Sequence, residues 1–416
     1  MTKRIVIIGG GVIGLSVAQA AAERGMQVVV LERNSPEHHG CSFGNAGMIV
    51  PSHFIPLAAP GMISLGLRMM GNPESPFYVR PRLSWDLITW GYRFWQAANP
   101  ARVAAAGPLF RDLHWLSRAR FEELAGSEND FGLVQRGLLT LCQQQKTLDE
   151  EAHLAEQARA LGIPAEVHDA AGTAALDPGV QMNVAGSVYF PRDCHLSPGL
   201  FMQHLQRDIA ARQGQIVYNA AVTGFERRGQ QLYAVQTSQG DFEADEFVLA
   251  SGSWSPLVAR QLQLKLPLQP GKGYSMTLPQ PRSLPQLCSI CTEARLAVTP
   301  MGSSLRFGGT MELGEMNETI NPARVRGVIR GATTFFPEFT AADFEGIQPW
   351  CGLRPCSPDG LPYIGRTSKF TNLVLATGHA MLGLSLAPVT GILTAQLLAG
   401  ETPALDLKLL SPDRFG

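Results

Sequence analysis

Four consecutive apolar positions, Ile5-Val-Ile-Ile8, lead into a run of glycines, and apolar positions spaced three and four apart follow from Leu15 to Arg24. The pattern predicts a buried strand, a tight turn and a helix. A second apolar strand, Val28 to Leu31, ends at the acid Glu32. The turn reads Gly9-Gly-Gly11-Val-Ile-Gly14. Each glycine has a job in a dinucleotide fingerprint. Gly9 permits the turn, Gly11 lets the backbone approach a pyrophosphate, and Gly14 lets the helix pack on the strand. The helix N-terminus offers N–H groups to phosphate, and Glu32 is placed to accept from a ribose.

Beyond Glu32 the periodicity lapses. Residues 40 to 76 are rich in Gly, Pro, Ser and Asn and predict a long ordered loop. Trp85, Trp90 and Trp95 follow. A spacing of five scatters three rings around a helix, so burial on several sides is expected rather than a membrane-surface stripe. Helices are predicted over Gly107 to Ala125, Asp149 to Leu161 and, started by Ser197-Pro198, on to about Arg212. Alternation between Gln215 and Ala250 predicts strands at 216–218, 223–226, 232–237 and 242–249. Residues 266 to 345 are dense in proline and short strands, which predicts an antiparallel region, and 373–398 returns to strand, glycine loop and helix. The expected fold class is therefore α/β and discontinuous. One domain holds the dinucleotide (1–50, 192–265 and 346–416), and an antiparallel-sheet substrate domain covers it (51–191 and 266–345).

Composition narrows the function. Hydrophobic residues make up 45% of 416 positions, enough for large cores. A net charge of −1 without a basic run excludes nucleic acid as a natural partner. No apolar stretch reaches spanning length; Leu386 to Leu398 is too short and carries Pro388, Thr390, Thr394 and Gln396. A secretory reading of Lys3-Arg4 and Ala18-Gln-Ala20 is rejected, because glycines interrupt the apolar run and cleavage would delete the fingerprint. Seven cysteines without framework spacing point to a reducing compartment, and Cys288-Ser-Ile-Cys291 lacks the companion ligands of a zinc site. No metal is expected.

Several separate segments resemble one family. Gly352-Leu-Arg-Pro-Cys-Ser-Pro-Asp-Gly-Leu-Pro-Tyr-Ile-Gly365 resembles a signature of the D-amino-acid oxidase-like FAD superfamily, and Ala376-Thr-Gly-His-Ala-Met-Leu-Gly383 with Ala387-Pro388 and Gly391 resembles its C-terminal flavin loop. Lys272-Gly-Tyr-Ser275 and Ser42-Phe-Gly-Asn-Ala-Gly47 look most like the bacterial D-amino-acid dehydrogenase small subunit. The resemblance covers essentially the whole chain. It implies a Rossmann-like FAD-binding domain of the glutathione-reductase type and non-covalent FAD. It extends the flavin-holding set to Val12, Ile13, Arg33, Cys41, Ser42, Asn45, Ala46 and Gly47. It adds Val222, Ser251, Gly252 and Trp254, then Gly378, Gly383, Leu384 and Ser385.

The implied reaction is oxidation of a D-amino or cyclic D-imino acid to a 2-imino acid, which water converts to a 2-oxo acid. Arg354 is the candidate clamp for the substrate carboxylate, since a guanidinium fork matches it. Tyr274 is either a second donor to that carboxylate or a core aromatic. His53 stands where the resembled dehydrogenases carry tyrosine, either lining the pocket or simply in the loop. His379 is expected against the flavin, with a base role as a further option. The strand around Ala294 to Thr299 lacks the family's tyrosine, at positions held by Ala294 and Leu296, which implies a less polar wall and leaves the exact substrate open. Arg295 is open as a compensating charge. The electron acceptor (a quinone, a protein partner or oxygen) is also open. A cytoplasmic location is expected, with peripheral contact at the inner face of the membrane as an alternative. Two rivals are an NAD(P)-dependent dehydrogenase, which would not need the loop at 378–383, and a flavin subunit inactive outside a larger assembly.

Overall fold

The computed structural model describes residues 2–38, 40–80 and 84–415. The chain opens with β1 (Arg4–Ile8), α1 (Val12–Glu23) and β2 (Gln27–Leu31). Next come β3 (Met48–Ile49), α2 (Met62–Met69), β4 (Phe77–Val79), α3 (Trp85–Ala97) and α4 (Pro100–Ala125). A middle stretch holds β5 (Leu138–Cys142), α5 (Gln145–Ala160), β6 (Glu166–Asp169), α6 (Ala170–Leu176), β7 (Gly186–Phe190) and β8 (Cys194–His195). It continues through α7 (Pro198–Ala211), β9 (Gln215–Val217), β10 (Val222–Arg228), β11 (Gln231–Thr237), β12 (Gly240–Glu243), β13 (Glu246–Leu249) and α8 (Ser255–Gln261). The chain then forms β14 (Gln269–Leu278), β15 (Cys288–Cys291), β16 (Leu296–Met301), β17 (Ser304–Leu313) and α9 (Pro322–Phe335). It closes with β18 (Trp350–Cys356), β19 (Tyr363–Arg366), β20 (Leu373–Thr377) and α10 (Ala387–Ala399).

A six-stranded sheet runs in the order β19-β20-β13-β1-β2-β9 and is parallel except at β19. Its central strands are buried on both faces, which is why they read as unbroken apolar runs. Helices α1, α7 and α10 share its core. Two contacts there require glycine: a Cβ on Gly14 would stand 1.9 Å from the Gly9 carbonyl oxygen, and one on Gly391 would stand 2.4 Å from that of Ser16.

A larger mixed sheet has the order β18-β14-β17-β16-β15-β5-β7-β6, with β4 added beside β17. Its pairs are antiparallel except β5 with β15 and β4 with β17. Helix α9 packs its apolar face on this sheet. The meander β10-β11-β12 is separate.

The fold departs from the sequence expectations at identifiable places. The long loop contains α2. Helix α4 starts at Pro100 rather than Gly107, because Asn99 caps it by accepting from the Arg102 N–H at 3.0 Å. Ser197 makes no side-chain cap, so Pro198 alone marks that start. The run 242–249 divides into β12 and β13, which join different sheets. The boundary at 346 does not separate the sheets, since β18 pairs with β14. Helix α4, expected with the substrate domain, packs through Phe110, Leu113 and Phe121 on the layer that holds α10.

The expected burial of the three tryptophans fails. Only Trp90 is buried; its indole N–H donates to the Cys356 carbonyl at 2.9 Å. Trp85, Ile88, Tyr92 and Trp95 are 82%, 51%, 58% and 62% exposed. Spacings of three, seven and ten place these four on one stripe of α3, opposite Trp90. Cys288 and Cys291 lie on β15 and join different core clusters. An odd spacing on a strand points side chains to opposite faces, which excludes chelation. All seven cysteines are free, and among the described residues no cluster could hold a metal ion.

Candidate active site

One cavity of about 860 Å³ runs from the carboxyl ends of β1 and β2 to the mixed sheet. At its first end lie the glycine turn and the start of α1. Gly9 takes φ 118°, a conformation L side chains rarely adopt. Glu32 closes the turn: Oε2 accepts from the Gly10 N–H at 2.8 Å and Oε1 from the Asn34 N–H at 3.0 Å. Ser42 Oγ accepts from the Val12 N–H at 3.0 Å, which ties the following loop to the N-terminus of α1. Arg33 lies over the Trp254 ring at 3.8 Å, and both line the cavity.

The cavity is also lined by Gly11, Ile13, Cys41, Asn45, Ala46, Val222, Ser251, Gly252, Gly383, Leu384 and Ser385. Three expected flavin contacts stand elsewhere. Gly14 serves helix packing only. Gly47 takes φ 77°, and its carbonyl accepts from the Leu196 N–H; a Cβ there would sit 2.3 Å from the Leu196 oxygen. Gly378 takes φ 82° against the Tyr363 ring. Both are backbone requirements, not cavity walls.

At the other end, Arg354 reaches across the sheet from β18. A Cβ on Gly273 would stand 2.2 Å from the guanidinium carbon, so the absent side chain makes the berth for it. Arg354 Nη1 donates to the Thr310 carbonyl at 2.5 Å. Thr310 has φ 69°, at an irregularity where β14 and β17 lose register. No carboxylate pairs with Arg354 among the described residues, and burial holds its pKa below the ordinary arginine value. Arg306, by contrast, is spent: it donates to Thr277 Oγ1 and to the carbonyls of Phe43 and Asn45, holding the Ser42–Asn45 loop. Arg295 is exposed at the cavity rim.

Tyr274 lines the cavity beside the Arg354 berth, with its phenol proton engaged. Its hydroxyl donates to Glu312 Oε2 at 3.2 Å, and burial with that carboxylate pushes its pKa up. His379 is buried and tied to Thr390. Thr390 Oγ1 donates to the Leu386 carbonyl at 2.8 Å, so it accepts from His379 Nε2–H at 2.9 Å, and the remaining Nδ1 is buried without a partner. Burial pushes the ring's pKa down to about 3. His379 lines the cavity at the 378–383 loop, with Nε2 engaged and Nδ1 buried. His53 does line the cavity, and desolvation lowers its pKa to about 4. Of the two positions lacking tyrosine, only Leu296 lines the cavity, with Ile290 and Ala297; Ala294 faces Gly331 of α9.

Sequence reasoning missed the partners of these groups: Gly273 as the berth for Arg354, Thr310 as its acceptor, Ser52 and Asp193 behind His53, and His114, whose Nδ1 lies 3.0 Å from Ser385 Oγ. The Lys272–Ser275 motif carried the first of these as a signal. Thr310, Asp193 and His114 lie far in the chain from the groups they meet and leave no local pattern, and Ser52, although next to His53, carries no sign of Asp193.

The family model for FAD dependent oxidoreductases matches residues 4–397. D-amino acid dehydrogenases of Granulibacter bethesdensis and Rhodopseudomonas palustris are each 32% identical, over 99% of this chain and 99% and 98% of theirs. The fold is that of glycine oxidase from Geobacillus kaustophilus (TM-score 0.78, 24% identity, 99% of both chains). It is also that of L-proline dehydrogenase from P. horikoshii (TM-score 0.75, 19% identity, 100% and 98%). The chain belongs to the FAD dependent oxidoreductase family. It is an enzyme whose cofactor is FAD, and the glycine turn, Glu32 and the length of the cavity fit that dinucleotide.

Proposed function

We propose that this enzyme oxidises a neutral D-amino acid or cyclic D-imino acid to the 2-imino acid, with hydrolysis to the 2-oxo acid following. The observation that carries the reading is Arg354: a largely buried cation without a carboxylate partner among the described residues, opening into the cavity that begins at the dinucleotide fingerprint. A buried charge needs a counter-ion, and a substrate carboxylate meets the fork with two charge-assisted hydrogen bonds. The bound flavin, non-covalently held, supplies the hydride acceptor. Gly273 and Thr310 hold the guanidinium, so Cα–H is oriented by the clamp. Ile290, Leu296 and Ala297 give the side chain an apolar wall, which discriminates by about 1–3 kcal/mol per methylene and favours breadth over selectivity. The D-hand follows the naming of the relatives at 32% identity.

The test is anaerobic bleaching of the yellow enzyme with D-proline, D-alanine, D-phenylalanine, D-glutamate and their L-forms. Neutral D-substrates are expected to bleach fastest. Preference for an L-form or for D-glutamate would overturn the reading.

No helix among the described residues is long and apolar enough to cross a membrane. The exposed stripe of Trp85, Ile88, Tyr92 and Trp95 supports a peripheral contact with the inner face of the membrane, where a quinone would accept the electrons. Flotation with lipid vesicles, lost in the Trp85→Ser/Trp95→Ser variant, tests it.

A further inference from the structure

His53 stands at the mouth of a hydrogen-bonded chain that leads away from the cavity. Its Nδ1 lies 3.1 Å from Ser52 Oγ, and Ser52 Oγ lies 2.5 Å from Asp193 Oδ2. The Ser52 backbone N–H also donates to Asp193 Oδ1 at 3.0 Å, which fixes the carboxylate. Asp193 is 1% exposed, while His53 is half-buried and lines the cavity. Among the described residues the Nε2 of His53 has no hydrogen-bond partner, yet it is not one of the sealed buried atoms, so it opens to the cavity.

A hydroxyl has one proton to give. When Asp193 is ionised, Ser52 donates to it and must accept from His53 Nδ1–H, which leaves a lone pair on Nε2 facing the cavity. When Asp193 is protonated, every bond reverses: Asp193 donates to Ser52, Ser52 donates to Nδ1, and the ring carries its proton on Nε2. The two arrangements differ by one proton moved from the cavity to the buried carboxylate.

We propose that His53, Ser52 and Asp193 form a proton relay that takes a proton from the substrate's ammonium group. One N–H bond of the ammonium breaks and its electron pair stays on nitrogen, ready for the oxidation. The proton adds to His53 Nε2, the Nδ1 proton passes to Ser52 Oγ, and the Ser52 proton passes to Asp193 Oδ2. Nothing is oxidised or reduced in this step, and the imidazole is never required to carry two protons. That matters because burial opposes the imidazolium, with a pKa near 4. Asp193 is a suitable terminus, since burial raises its pKa to about 7 against the pull of Ser52 and Arg118. The other ionisable groups around the relay are His114, which faces His53 from α4 and stays neutral, and the thiols of Cys194 and Cys288, which burial keeps protonated. Asp193 is therefore the group that switches near neutrality.

The identity of the proton donor rests on the amino-acid reading above; the relay itself does not. Histidine-selective ¹⁵N NMR of the FAD-loaded enzyme, with His53 assigned by loss of its signals in His53→Gln, reads the tautomer directly. The ring is expected to hold Nδ1–H above pH 8 and Nε2–H below pH 6, neutral throughout, with a midpoint near 7. Asp193→Asn and, independently, Ser52→Ala should make the tautomer pH-invariant. A fixed tautomer in the wild-type enzyme, or a switch that survives either variant, would overturn the relay. Flavin bleaching by D-proline should rise with pH through about 7 in the wild type. Asp193→Asn should be about 100-fold slower at pH 7, with the limb displaced toward that of the free ammonium. An unchanged pH profile would also overturn the relay. If no amino acid bleaches the flavin while the tautomer switches as described, the substrate reading has failed and the relay stands.

Discussion

The two ends of the cavity are built differently. The dinucleotide end is centred on a continuous piece of chain: strand, glycine turn, helix, strand and acid, closed by Glu32 on Gly10 and by Ser42 on Val12, with Trp254 and the 383–385 loop added to it. The substrate end is assembled from five strands and one loop. Arg354 comes from β18, its berth from Gly273 on β14, its acceptor from Thr310 on β17, its apolar wall from β15 and β16, and His53 from the long loop. The centre of the first end is set by local geometry. The second depends on register: one slip between β14 and β18 would put Arg354 opposite a side chain and turn it to the other face. A module set by local geometry can be shared by many enzymes, while specificity changes at the end where strands from distant segments meet.

Buried histidines decide how the fold meets acid, and the largest expected effect is there. His114, His195 and His379 are buried, with pKa values lowered by desolvation to about 3, 4 and 3. The unfolded chain binds protons on these rings below about pH 6.5. Their contribution to stability is therefore complete above that pH and is lost as pH falls toward 4. Each ring stands for roughly 3–4 kcal/mol, a large share of an ordinary domain's stability. Asp193 works the other way, since its protonated form is favoured in the fold and its contribution is lost as pH rises through about 7. Three imidazoles outweigh one carboxylate, so Tm should fall steeply between pH 6.5 and 4. A flat profile would show that these rings are not held neutral.

Arg354→Ala comes next. Losing a desolvated bidentate contact costs about 3 kcal/mol, so kcat/KM for D-amino acids should fall at least 100-fold with FAD retained. Arg354→Lys should restore little of it. Wild-type kinetics would place the carboxylate at Arg295, since Arg306 is already engaged.

Gly273→Ala isolates the berth. The new methyl meets the mobile end of a side chain, so Tm should barely change, while KM should rise about 10-fold as the guanidinium is displaced. A loss of stability with unchanged KM would move Gly273 from the site to the sheet's packing.

Glu32→Ala probes the other end. It should weaken FAD retention about 10-fold, measured by dialysis against apoenzyme, and leave KM for substrate unchanged at saturating FAD. A change in KM would mean that the two ends are not independent.

The residues between Ile5 and Glu32 carry their structure in their order: apolar run, glycine spacing and terminal acid are all local, and strand, turn and helix follow from them with few other solutions. The same holds for Pro198 at the head of α7 and for the apolar strand of β20. Elsewhere the local pattern is silent or misleading. Asn99 extended α4 by two turns that periodicity did not show. Spacing among the tryptophans alone predicts scatter on α3, because it ignores Ile88 and Tyr92. Arg354 is legible through the resemblance of residues 352–365, not through any periodicity around it. Whether the Tyr274 hydroxyl meets Glu312 and whether Arg306 is free or spent on a loop are questions of partners distant in the chain. Ser52 and Asp193 lie 141 positions apart, and neither has a neighbour that hints at the other. Backbone form is decided by short-range sterics and solvent exposure, which neighbouring residues carry; the state of a buried polar group is decided by which other polar group folding leaves within hydrogen-bond reach, and that exists only once the strands have met.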